Sequence, residues 1–154
     1  MCLLIAKPAG KSVPASALIQ ATNVNKDGWG IAWTTRRKRL QVVRGFDVNA
    51  LVAAVGAITN RPAIIHLRFA THGTKGIENC HPFYVTDNIV MAHNGILDAP
   101  MTGDGTADDT FSDTRLFIEF GLRPMLTAHP ELFDNDGFRY TMDTLCGTWN
   151  KLAF

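Results

Sequence analysis

Cys2 directly follows the initiator Met1. Removal of Met1 leaves a thiol and a free α-amino group on one residue, which joins a nucleophile to its own base. Three later segments carry groups that suit a small ligand of mixed charge. Residues 64–69 read as a buried strand, and period-two alternation puts His66 and Arg68 on one face with Leu67 and Phe69 on the other. A guanidinium at the end of such a strand needs an anionic partner. Its planar fork suits either a structural carboxylate or a ligand carboxylate. His93-Asn94-Gly95 follows a second strand at a sharp turn. Gly95 permits close backbone approach, and its N–H with the Asn94 amide forms a candidate oxyanion hole. Asn-Gly is equally a hairpin signal. Asp113 stands near the start of a helix, where a carboxylate either favours the helix dipole or meets a ligand ammonium group. A nucleophile, an oxyanion hole, a carboxylate clamp and an ammonium clamp together describe an amino acid with a side-chain amide.

Alternating strands and helices must position these groups. Strands are expected at 2–6, 29–34, 40–43, 64–69, 83–85 and 89–93, and again at 149–154. Arg36 to Arg39 marks a hairpin turn with a solvated basic tip, and Asp87-Asn88 another turn. Helices are expected at 14–21, at 49–60 with Asn49 as N-cap, from Thr110 or Ser112 through Leu116 and Phe117 to about Leu126, and at 135–145. The Met and Phe residues at 117–125 read as core. Residues 98–109 form a polar loop before Asp113, and its Asp108 and Asp109 favour a cationic leaving group. The chain ends on apolar Leu152-Ala153-Phe154 with no strand following, which reads as a domain cut short.

The 154 residues suit one domain spanning 1–154, large enough for a core. A 46% hydrophobic and 19% charged composition is that of an ordinary globular protein. A net charge of +1 selects neither nucleic acid nor an anionic membrane. Three cysteines without CxxC spacing argue against a disulfide framework, and no apolar run has signal or transmembrane length, so the expected location is cytoplasmic.

Read together, Met1-Cys2, Asn25 to Gly30, His66 to Gly73, Asn79-Cys80-His81-Pro82-Phe83, Met91 to Gly95 and Ser112-Asp113-Thr114 resemble a class II glutamine amidotransferase domain of the N-terminal-nucleophile (Ntn) hydrolase superfamily. The Lys26-Asp27-Gly28-Trp29-Gly30 segment is most similar to the small stand-alone, YafJ-like members. The resemblance implies an α+β fold, a four-layer αββα sandwich of two mainly antiparallel sheets, incomplete at its C-terminal end. It implies that Cys2 attacks a glutamine side-chain amide, releasing ammonia or an amine and leaving a γ-glutamyl thioester for water. Asn94 and Gly95 would hold the oxyanion, Arg68 the α-carboxylate and Asp113 the α-amino group. Thr71 and His72 would line the glutamine pocket. No cofactor is implied. The substrate would be glutamine or a γ-glutamyl amide, and any ammonia acceptor would be a separate enzyme.

The chain departs from that pattern at Leu3-Leu4, where many relatives have Gly after the nucleophile, and at Phe69, where many have Trp. Other readings stay open. With Met1 retained, the α-amino base is lost and the scaffold becomes a catalytically silent ligand-binding protein. His66, His72, His81 and His93 with Cys80 are metal-type ligands for a metal-dependent hydrolase, but their spacing matches no compact zinc motif. Asp134-Asn135-Asp136-Gly137 begins like a calcium loop, yet Leu145 stands where the bidentate Glu belongs.

Overall fold

The computed structural model describes residues 1–97 and 110–154. Four strands, β1 (Leu3–Lys7), β2 (Trp29–Thr34), β3 (Leu40–Gly45) and β4 (Ala63–Leu67), form an antiparallel sheet in the order β1-β4-β2-β3. A second antiparallel sheet holds β5 (Phe83–Thr86), β6 (Ile89–Asn94) and β7 (Lys151–Ala153) in chain order. Helices α1 (Ala15–Val24) and α2 (Val48–Ala57) pack on the first sheet, and α3 (Asp113–Phe117), α4 (Arg123–Ala128) and α5 (Asp136–Cys146) accompany the second. The fold is α+β, layered αββα, as expected. Among the described residues, no helix is long and apolar enough to cross a membrane.

Two apolar cores follow from strand alternation. Trp29, Ile31, Ala63, Ile65 and Leu67 share one face of the first sheet and bury against Leu18 of α1 and Leu51 and Val55 of α2. Each fully buried Leu or Ile contributes roughly 1.5–3 kcal/mol. Leu3 and Ile5 join that face, so Cys2, Leu4, His66 and Gly30 belong to the other, with Leu4 and Gly30 both opposite His66. This second face looks toward the β5-β6-β7 sheet. Gly30 makes the approach possible, because a Cβ there would overlap the His81 carbonyl. The second core joins Phe83, Val85 and Met91 to Ile118, Leu122 and Leu126.

Several elements differ from expectation. Asp47, not Asn49, caps α2, its carboxylate accepting from Ala50 N at 2.7 Å. Cap geometry favours the residue whose oxygen reaches the third helical N–H. Of the two caps expected for α3, Thr110 or Ser112, the structure uses Ser112. Between α3 and α4 the backbone forms a π turn at Ile118–Leu122. Pro124 explains it: proline has no N–H for the carbonyl four residues back and its ring clashes there. The wider turn rotates Phe120 outward, so this residue is 60% exposed instead of core. Residues 149–154 yield only the short strand β7, which pairs with β6 through Ala92↔Ala153, His93↔Leu152 and Asn94↔Lys151.

Candidate active site

Cys2 immediately precedes β1, beside the end of β4. Its Sγ accepts a hydrogen bond from Phe69 N at 3.3 Å and lies 3.4 Å from Phe69 O. Burial pushes the thiol pKa up, against the Phe69 N–H, the N-terminal charge and Arg68, which favour the thiolate. A thiol held in its neutral form needs a base before it can attack.

Arg68 is 3% exposed, yet it has no carboxylate partner among the described residues. Its guanidinium donates instead to His72 O and Thr74 O, both at 2.8 Å, and so folds the segment after β4 around itself. Carbonyl oxygens satisfy the fork without neutralising it, and the positive charge is retained. Asp27 secures the same segment: it accepts from Ala70 N at 2.9 Å and pairs with Lys75 at 2.8 Å. Burial raises the Asp27 pKa, but Lys75 and the Ala70 N–H outweigh it and hold the carboxyl below its ordinary range.

Asp113 opens α3 with both oxygens engaged. Oδ2 accepts from Leu97 N at 2.8 Å and Oδ1 from Thr114 N at 2.7 Å. Buried Asn79 ties this corner to the segment after β4, donating to Thr110 O at 2.8 Å and Thr74 O at 3.1 Å while accepting from Ser112 N at 2.8 Å. Gly95 follows β6 directly with φ +145°, a backbone that side-chain-bearing residues rarely adopt.

These parts meet. Cys2, Arg68, Thr71, His72, Gly95 and Asp113 all line one small cavity of about 20 Å³, together with Phe69, His81, His93, Ser112 and Thr114. That volume holds about one water. Thr71 and His72 sit exposed at its rim. Asn94 does not line it, and its Oδ1 is buried with no hydrogen-bond partner among the described residues. Asp108 and Asp109 lie outside the described residues. The larger cavities, of about 730 and 470 Å³, lie elsewhere, around α5 and β7 and at the Lys7 end of the sheets. They contain none of the nucleophile's companions.

Sequence reasoning weighed His81 and His93 as metal-type ligands against structural or turn roles, and gave no role to Thr114, Asn79 or Asn150. The His93 carbonyl lies 3.0 Å from both His66 Nε2 and His81 Nδ1. The His66 and His81 rings sit 4.2 Å apart between the sheets. Burial pushes His66 down to about 3 and His81 well below its ordinary value, so both are neutral spacers in the inter-sheet layer. Among the described residues, no group of three His, Cys, Asp or Glu side chains is arranged to hold a metal ion. The signal that could have found Thr114 and Asn79 was their place in the quoted segments, each beside a named residue.

The family model described as "Glutamine amidotransferases class-II" matches residues 7–112. The chain belongs to the class-II glutamine amidotransferases. The matched stretch contains Arg68, Thr71, His72, Asn94 and Gly95, with Cys2 before it and Asp113 just after. Among curated proteins, the chain is similar to glutamine--fructose-6-phosphate aminotransferases [isomerizing]. That of Caulobacter vibrioides is 28% identical over 64% of this chain and 16% of the relative. That of Pseudomonas putida is 25% identical over 87% of this chain and 24% of the relative. A probable one of Acanthamoeba polyphaga mimivirus is 33% identical over 63% and 17%, respectively. The matched part is therefore between about a sixth and a quarter of each of these relatives.

Proposed function

We propose that this class-II glutamine amidotransferase domain hydrolyses the side-chain amide of glutamine or of a γ-glutamyl amide, using Cys2 as an N-terminal nucleophile. The observation that carries the reading is the convergence of Cys2, Arg68, Gly95 and Asp113, from four separate parts of the chain, on one cavity. With Met1 removed, the α-amino group of Cys2 takes the thiol proton, and α-amino groups as a class titrate near neutrality. The thiolate attacks the amide carbon. The Gly95 N–H stabilises the resulting oxyanion, joined by the Asn94 amide once its side chain turns toward the cavity. The α-ammonium then returns the proton to the leaving nitrogen, the C–N bond breaks, and ammonia or an amine departs. Water hydrolyses the γ-glutamyl thioester to glutamate and restores the thiol. Arg68 holds the substrate α-carboxylate with donors left over from His72 O and Thr74 O, and Asp113 holds the α-ammonium. Thr71 and His72 form the mouth. No cofactor takes part. The relatives are named as glutamine--fructose-6-phosphate aminotransferases; the ammonia released here passes to an acceptor or to solvent. Cys2, Cys80 and Cys146 are unpaired, in keeping with a reducing compartment such as the cytoplasm.

The test pairs intact-mass measurement with alkylation by a diazo-ketone analogue of glutamine. The expected result is a chain lacking Met1 that gains one adduct, mapped to Cys2. Adducts at Cys80 or Cys146, or Met1 retained throughout, would overturn the mechanism. Comparing ammonia release from glutamine with hydrolysis of several γ-glutamyl amides then identifies the substrate.

A further inference from the structure

A hydrogen-bonded chain runs from the turn after α5 into the cavity. Asn150 Nδ2 donates to Cys146 O at 2.6 Å, His93 Nε2 lies 2.7 Å from Asn150 Oδ1, and His93 Nδ1 lies 2.9 Å from Thr114 Oγ1. The Cys146 carbonyl can only accept, so the Asn150 amide has one workable orientation, with Oδ1 toward the imidazole. His93 Nε2 must then carry the proton. Burial pushes the His93 pKa down, with Asn150 and Asp113 opposing, so the ring is neutral and Nδ1 is bare. A bare Nδ1 accepts the single Thr114 hydroxyl proton. That choice matters because Thr114 Oγ1 also lies 3.2 Å from Asp113 Oδ1. Among the described residues, while the hydroxyl points at His93, the Asp113 carboxylate accepts only from Leu97 N and Thr114 N. It keeps lone pairs for another donor. His93, Thr114 and Asp113 are 2%, 0% and 6% exposed, so water does not readily substitute for these partners. Asn150 also touches the other half of the site: a Cβ on Gly95 would overlap its Oδ1.

We infer that Asn150, which lies outside the stretch matched to the family, is a positioning residue that locks the His93 tautomer, turns the Thr114 hydroxyl away from Asp113 and so leaves that carboxylate open for a substrate ammonium group. The role rests on the glutamine reading above. Without Asn150, His93 is free to carry its proton on Nδ1. It then donates to Thr114 Oγ1, and the hydroxyl proton turns onto Asp113 Oδ1 and occupies the ammonium's place.

Nitrogen-15 NMR of the histidine-labelled protein, with His93 assigned by its loss in H93Q, reads the tautomer directly. Wild type is expected to show Nε2–H, and Asn150→Ala to lose that single form. Kinetics read the consequence. N150A is expected to lower kcat/KM for glutamine about tenfold more than for 4-carbamoylbutanoate, which is glutamine without its α-amino group. An unchanged Nε2–H tautomer in N150A, or equal losses on both substrates, would overturn the role. Should the wild-type protein hydrolyse neither compound, the glutamine reading fails, and the tautomer comparison alone decides on Asn150.

Discussion

Cys2 and Arg68 are both held by backbone groups of the segment that follows β4. Phe69 N–H supports the sulfur, and the His72 and Thr74 carbonyls grip the guanidinium. The proposed nucleophile and the proposed carboxylate clamp therefore share one support. Their types were legible in the chain, because a cysteine after Met1 and an arginine at a strand end are unusual placements with chemical consequences. Their protein partners were not: the bonds from Arg68 to His72 O and Thr74 O cannot be read from the chain. Cys2→Ser should lower kcat/KM for glutamine by about a thousandfold or more, measured as ammonia release, with the thermal midpoint unchanged. A serine variant retaining a tenth of the activity would remove Cys2 from the mechanism.

At the scale of elements, two local features set the site's geometry. Ser112 caps α3 through a hydrogen bond from Arg115 N at 3.3 Å, which fixes where Asp113 begins the helix. Ser112→Ala should cost about 1 kcal/mol in urea unfolding and raise KM for glutamine. A loss of stability with KM unchanged would separate the cap from the site. Gly30 lets the first sheet approach the His81 carbonyl. Gly30→Ala should destabilise the fold by about 1–3 kcal/mol in the same measurement, since backbone rather than a flexible side chain stands in the way. A neutral G30A would mean that the sheets can separate freely. Strand β2 was readable to the residue from alternation, whereas the Asp47 cap and the turn before Pro124 were not. Period and propensity locate an element, but its ends depend on which side-chain oxygen reaches which N–H.

For the whole molecule, the layer between the sheets contains neutral buried imidazoles. His66 falls from an ordinary 6.5 to about 3, and His81 and His93 are also lowered. Between those limits the unfolded chain binds more protons than the folded one. The His66 contribution to stability is thus complete above about pH 6.5 and is lost as pH falls toward 3. Unfolding free energy should drop by up to about 1.4 kcal/mol per pH unit on account of His66 across that window, and His81 and His93 act in the same direction. His66→Gln, which keeps a donor for the His93 carbonyl, should flatten the urea-midpoint profile between pH 6 and pH 4 by about one histidine's share. An unchanged slope would show that His66 titrates normally.

The order of segments from Cys2 to Ser112-Asp113-Thr114 carried, without coordinates, the resemblance from which the α+β class and the family followed. Tertiary structure alone decided which groups meet. Alternation sent His66 and Gly30 to the inter-sheet face, but only the packing of the second sheet placed the His93 carbonyl against His66 and His81. Likewise, nothing near Asn150 in the chain announces a link to Asp113. That link exists because β7 pairs with β6 and brings a residue 57 positions away within 2.7 Å of the His93 ring. Hydrogen bonds of that range depend on the final few tenths of an ångström of packing, which periodicity does not encode.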